Sequence, residues 1–92
     1  MLESELERRC CVMARENGWL AIKWSSPGQW GVPDRLLIKA GRIIAVEFKA
    51  LAKAPTKLQE RRHAELRGAG MDVIVIDNID DFHRCICTER PA

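Results

Sequence analysis

The run "GVPDRLLIKAGRIIAVEFKA", residues 31–50, constrains this chain more than any other stretch. Two apolar segments, "RLLIK" and "RIIAVEFK", flank Ala40–Gly41, the spacing of a tight antiparallel hairpin. The near-continuous apolarity of 43–48 predicts a central strand buried on both faces. Yet Asp34, Glu47 and Lys49 interrupt this apolar pattern. With Lys39 opposite Arg42, Asp34 falls directly opposite Glu47. Opposed side chains share a sheet face, with Cβ atoms about 4.5–5.5 Å apart. Lys49, two residues past Glu47, points to the same face. A loop longer by one residue would turn Asp34 away from Glu47.

Around the hairpin, periodicity places the other elements. "ELERRCCVMAREN", 5–17, has Leu6, Cys10 and Met13 on one helical face, with Ser4 as a predicted cap and Gly18 as a stop. "WLAIKW", 19–24, reads as a strand, and "SSPGQWGVP", 25–33, as a loop. "TKLQERRHAELRGAG", 56–70, reads as a helix with Leu58, Leu66 and Ala69 on its apolar face, and "DVIVI", 72–76, as a strand. A strand–helix–strand unit makes a right-handed crossover, so this last strand should run parallel to its partner. The tail "DDFHRCICTE" adds a short helix. The expected class is α/β, a mixed sheet flanked by helices in the order α-β-β-β-α-β, as one domain over 1–92.

Composition narrows the class. With 47% hydrophobic and 30% charged residues the chain reads as an ordinary globular protein. No apolar run approaches the roughly 18–20 residues of a membrane span. The acidic, mixed N-terminus shows no signal peptide, so a cytoplasmic location is expected. A formal charge of +2 does not by itself indicate a nucleic-acid partner. Cys10–Cys11 and Cys85-x-Cys87 lack the spacing of zinc sites; Cys10 and Cys85 read as small core hydrophobes.

Two opposed carboxylates repel one another, and a bound cation removes that conflict. Mg²⁺ favours one or two carboxylates and keeps its other positions for water and phosphate oxygens. A cation so held polarises a phosphodiester and activates water. Lys49 is placed to orient that water or to balance charge on the phosphate. The competing reading is a salt-bridge cluster at a strand end.

"PD" at 33–34 followed by "EFK" at 47–49 resembles the PD-(D/E)XK nuclease superfamily. "SSPGQWGVPD", "VEFK" and "PTKLQ" together resemble the virus-type replication–repair nuclease (VRR-NUC) domains over positions 3–77. The resemblance implies a restriction-endonuclease-like core and a deoxyribonuclease dependent on Mg²⁺ or Mn²⁺. It implies Asp34, Glu47 and the backbone carbonyl of Phe48 as metal ligands, and Lys49 as catalytic lysine. It also implies a glutamate on the first helix, for which Glu7 matches best and Glu3 is the fallback, and a glutamine beside the active site, Gln59. Both have a competing structural reading: Ser4-x-x-Glu7 and Thr56-x-x-Gln59 are each capping-box patterns.

Lys23, Ser25 and Ser26 near the loop, and Lys53, Lys57 and Arg61 before and along the second helix, are candidate phosphate contacts. A solvated turn and a solvated helix face are the alternatives. Trp30 is a candidate for base stacking, for a dimer contact, or for folding back over the core; His63 needs no special role. By analogy with small Holliday-junction resolvases, a homodimer acting on branched DNA is expected, with a phage source suggested by the resemblance alone. The rival is a catalytically silent nucleic-acid-binding module on the same fold; a purely structural domain would neither bind nor cleave.

Overall fold

The computed structural model describes residues 1–88, so Glu89 of the predicted tail helix lies outside the described residues. Along the chain run α1 (Glu3–Glu16), β1 (Leu20–Lys23), β2 (Arg35–Lys39), β3 (Arg42–Phe48), α2 (Lys57–Gly68), β4 (Asp72–Ile76) and α3 (Ile79–Cys87). The strands form one sheet in the order β1-β2-β3-β4, antiparallel except for the parallel β3–β4 pair. The expected order and the parallel crossover strand are both present.

The hairpin register is the simple one: Lys39 pairs with Arg42 and Arg35 with Val46. Ala40 and Gly41 both take positive φ, 50° and 79°, which matches the twist of the flanking strands. Because side chains alternate, each strand divides cleanly between two faces. Leu37, Ile44, Val46, Phe48 and Ile76 pack with Leu6, Cys10 and Ala14 of α1 and Phe82 and Ile86 of α3 into the main core. Phe48 and Phe82 meet with ring centroids 6.0 Å apart. The opposite face carries Leu36, Ile38, Ile43, Ala45 and Glu47, and α2 packs there over β4. From Ile44 to Phe48, β3 is buried throughout, as a central strand should be.

Two local expectations are corrected. The first helix begins two residues earlier than predicted: its cap position is Leu2, which makes no side-chain cap, so Ser4 and Glu7 form no capping box. Leu58 does not face the core; it stands 47% exposed, and the buried residue of α2 is His63. The four described cysteines are free; Cys10 and Cys11 are buried and Cys85 packs against the core. Thr56 does form the predicted capping box with Gln59.

Candidate active site

At the end of the sheet remote from the hairpin turn, Asp34 leaves β2 and Glu47 and Lys49 leave β3 on the face opposite α1. The Phe48 amide donates to Asp34 Oδ2 at 2.8 Å, which fixes the aspartate against β3. Two backbone bonds hold the strand ends: Trp24 N–H donates to the Asp34 carbonyl, and Lys49 N–H to that of Ile76. Pro33 is fully buried just ahead of Asp34. Lys49 Nζ lies 3.9 Å from Glu47 Oε2. The three charges inferred from alternation therefore share one site.

Glu47 is the unusual member, a carboxyl that is 1% exposed. Burial, then the neighbouring charge of Asp34, pushes its pKa up to about 8; Lys49 opposes this only in part. Its Oε1 has no hydrogen-bond partner among the described residues. Gln59 Nε2 donates to Oε2 at 3.4 Å while Gln59 Oε1 accepts from the Thr56 amide. The glutamine thus caps α2 and touches Glu47 at once.

The third acidic residue here is Glu3. Oxygens of Glu3, Asp34 and Glu47 all lie within 4.8 Å of one another. Glu7, the residue matched to the first-helix position, is placed elsewhere. Its Oε2 takes Arg35 Nε at 2.7 Å and Lys23 Nζ at 3.2 Å. Although burial disfavours its anion, these two cations outweigh it and hold the carboxyl below its ordinary range. The reason is topological. Arg35 and Lys23 point to the α1 side of the sheet, whereas Glu47 points to the other. From its place on α1, Glu7 stays on the first side; only the first turn, with Glu3, reaches round the sheet end.

A set of three carboxylates with an orphaned buried oxygen fits a hard divalent cation, which takes oxygen ligands and relieves the mutual repulsion. The side chains that would hold it are Glu3, Asp34 and Glu47.

His63 is the residue the sequence reading passed over. It is 1% exposed, and its Nε2 faces Glu47 Oε1 at 3.7 Å. Burial, then the charge of Arg67, lowers its pKa, so the imidazole is neutral near pH 7. The available signal was spacing: His63 lies four residues after Gln59, hence on the same helical face.

Of the proposed phosphate contacts, Lys53, Lys57 and Arg61 are exposed and form no ion pair among the described residues. Lys23 is engaged with Glu7; Ser25 is exposed and Ser26 half-buried. The loop before Asp34 is pinned to α2. Arg62 Nε donates to the Trp30 carbonyl at 3.0 Å, and Gly31, at φ 82°, packs so tightly that a Cβ would sit 2.9 Å from the Leu58 carbonyl oxygen. The Trp30 backbone is therefore held while its ring is 74% exposed, not folded over the core. No helix among the described residues is long and apolar enough to cross a membrane.

No protein-family model matches the sequence. A curated relative, "Putative nuclease p44" of Acyrthosiphon pisum secondary endosymbiont phage 1, is 44% identical over 79 residues, covering 85% of either chain. A solved structure described as a VRR_NUC domain superposes with a TM-score of 0.84 at 28% identity, covering 91% of this chain and 92% of the other. A shared sheet and helix order and 44% identity to the phage protein named "Putative nuclease p44", together with the hairpin carboxylates and lysine, lead to one assignment: this chain belongs to the VRR-NUC family of nuclease domains.

Proposed function

We propose that the whole chain, 1–92, acts as one nuclease domain that hydrolyses DNA phosphodiesters with Mg²⁺ or Mn²⁺. The observation that carries this is the convergence of Glu3, Asp34 and Glu47 oxygens within 4.8 Å, with Lys49 3.9 Å from Glu47. When bound, a divalent cation supplies Lewis-acid polarisation of the phosphodiester and a more acidic water. Glu3, Asp34, Glu47 and the Phe48 carbonyl hold it. Lys49 keeps its ammonium at the site edge, where it orients the attacking water and offsets charge growing on the phosphate. Gln59 steadies the Glu47 carboxyl. Glu7 braces α1 against the sheet through Arg35 and takes no part in the chemistry. Lys53, Lys57 and Arg61, with Ser25, Ser26 and the outer part of Lys23, receive the phosphate backbone. The exposed ring of Trp30 offers a stacking surface for an unpaired base.

The proposed substrate is branched DNA, of flap or Holliday-junction type, and the proposed assembly is a homodimer. Support for the dimer comes from the sheet face that α2 leaves uncovered. Leu20, Ile38 and Ile43 form a cross-strand row there, with Leu20 57% and Ile43 45% exposed, and Ile22 beside them is 41% exposed. Water contact along such a row is unfavourable, and a second copy related by a two-fold axis would bury it against itself. Two copies would also present two sites to a branched duplex. A cytoplasmic place of action accords with this reading.

The test is a cleavage assay on labelled four-way, flapped and linear DNA, and on RNA, with MgCl₂, MnCl₂ or EDTA. Sedimentation of the protein runs alongside. Cleavage of branched DNA that EDTA abolishes is the expected result. Tight binding without cleavage in either metal would instead establish the silent binding module. A monomer that cuts linear and branched DNA equally would remove the branch selectivity and leave a general nuclease. Binding should weaken with salt at a log–log slope near −0.9 per contacted phosphate.

A further inference from the structure

Glu47 presents two oxygens to α2, and the helix meets each with a different side chain. Gln59 Nε2 donates to Oε2, and one turn later His63 Nε2 stands 3.7 Å from Oε1. Both Oε1 and His63 Nε2 are buried, and neither has a hydrogen-bond partner among the described residues. Two unsatisfied polar atoms facing each other in the same dry wall each carry a desolvation cost that one contact between them would relieve. The imidazole is enclosed on α2, opposite the open side of the site where Lys49 and Asp34 stand, so it is not placed to reach a phosphate.

We propose that His63 is a positioning residue for Glu47. Its Nε2–H closes onto Oε1, and with Gln59 it fixes the rotation of the carboxyl plane. The plane then presents its remaining lone pairs to the space shared with Asp34 and Glu3, where a cation would sit. This rests on the metal-dependent reading above. It adds that α2 is a two-pronged clamp and not merely the cover of β4. A carboxylate free to rotate about its last bond would bind a cation less tightly and hold it less well aligned.

The test compares His63→Gln with His63→Met. The two replacements have nearly the same size and shape, but only Gln carries a terminal N–H near the place of Nε2. Mn²⁺ affinity is measured by calorimetry on the full chain, kcat and KM on branched DNA, and folding by thermal melting. Met is expected to weaken Mn²⁺ binding by about tenfold or more, as removal of groups that orient metal ligands does. It should lower kcat with KM for DNA little changed, while Gln recovers most of both. Equal Mn²⁺ affinities in the two variants, whether high or low, would overturn the assignment, since packing alone would then account for His63. A Met variant that fails to fold is replaced by His63→Leu, judged on the same comparison with Gln. Wild-type protein that takes up no Mn²⁺ would sink the metal-dependent reading itself. Wild-type uptake with equal variants would sink only the role of His63.

Discussion

Asp34 Oδ2 accepts the Phe48 amide at 2.8 Å, so the aspartate is bonded to the strand residue immediately after its opposing carboxylate, Glu47. One hydrogen bond thereby fixes the spacing of the two acids, independent of any bound ion. Asn at 34 keeps an acceptor for that amide, and Gln at 47 keeps the shape of the side chain. Asp34→Asn and Glu47→Gln should therefore fold, abolish cleavage, and leave metal-free thermal stability equal or higher above about pH 8, where both carboxyls are ionised and the substitution removes a like-charge contact. Melting curves and a cleavage assay check this together; wild-type cleavage by either variant would refute the assignment.

Glu47 also sets a pH dependence of stability. Its carboxyl is raised from an ordinary 4.5 to about 8, by burial first and by Asp34 second. Between those values the unfolded chain releases a proton that the folded chain retains, so stability falls as pH rises. The contribution is complete below about 4.5 and gone above about 8, and its size is on the order of a few kcal/mol. Urea unfolding of metal-free protein across this window should show the decline. Glu47→Gln should flatten it, and an unchanged slope in that variant would assign the effect to another group.

Lys49→Ala should reduce cleavage by at least about a hundredfold, the low end for a single acid–base or electrostatic group. An ammonium is not a metal ligand, so Mn²⁺ uptake should persist, as should DNA binding. Single-turnover kinetics beside a binding titration separate these effects. Normal cleavage would reduce Lys49 to an ion-pair partner of Glu47.

The two glutamates of α1 should separate in opposite ways. Glu3 is exposed and belongs to the carboxylate cluster, so Glu3→Gln should weaken Mn²⁺ binding without changing stability. Glu7 is bound to Arg35 at 2.7 Å in a half-buried pair. Glu7→Gln should cost about 1–3 kcal/mol of stability by replacing the carboxylate that Arg35 and Lys23 share with a neutral acceptor, and leave Mn²⁺ affinity intact. Calorimetry and chemical denaturation on both variants decide this. The reverse pattern would return the site role to Glu7.

Trp30→Ala should leave stability within about 0.5 kcal/mol, since the ring is largely exposed. It should weaken binding to DNA with unpaired bases by roughly five- to a hundredfold, the range of one base–aromatic stack, with little effect on plain duplex. Equal losses on both substrates in gel-shift titrations would argue against stacking. A shift in oligomeric state would make Trp30 a dimer contact.

Local rules settle one half of this site and not the other. A period of two along each strand, and a two-residue turn that permits one register, place Asp34, Glu47 and Lys49 on a common face before any packing is considered. The capping box of Thr56 and Gln59 is likewise a matter of four adjacent residues. The helix contributions are different in kind. Glu3 and Glu7 lie four residues apart and nearly eclipse one another on a helical wheel, so periodicity cannot distinguish them. What separates them is how far α1 extends along the sheet when Leu6, Cys10 and Ala14 pack over Phe48 and Ile44. That depth leaves Glu7 above Arg35 on one face and carries Glu3 round the end to the other. His63 reads as one more polar residue on a charged helix until α2 packs on the face that bears Glu47, which encloses it. Strand neighbours are set by backbone bonds whose geometry repeats every residue. The rotation and depth of a docked helix are set by side-chain volumes from distant parts of the chain, and only the assembled core decides them.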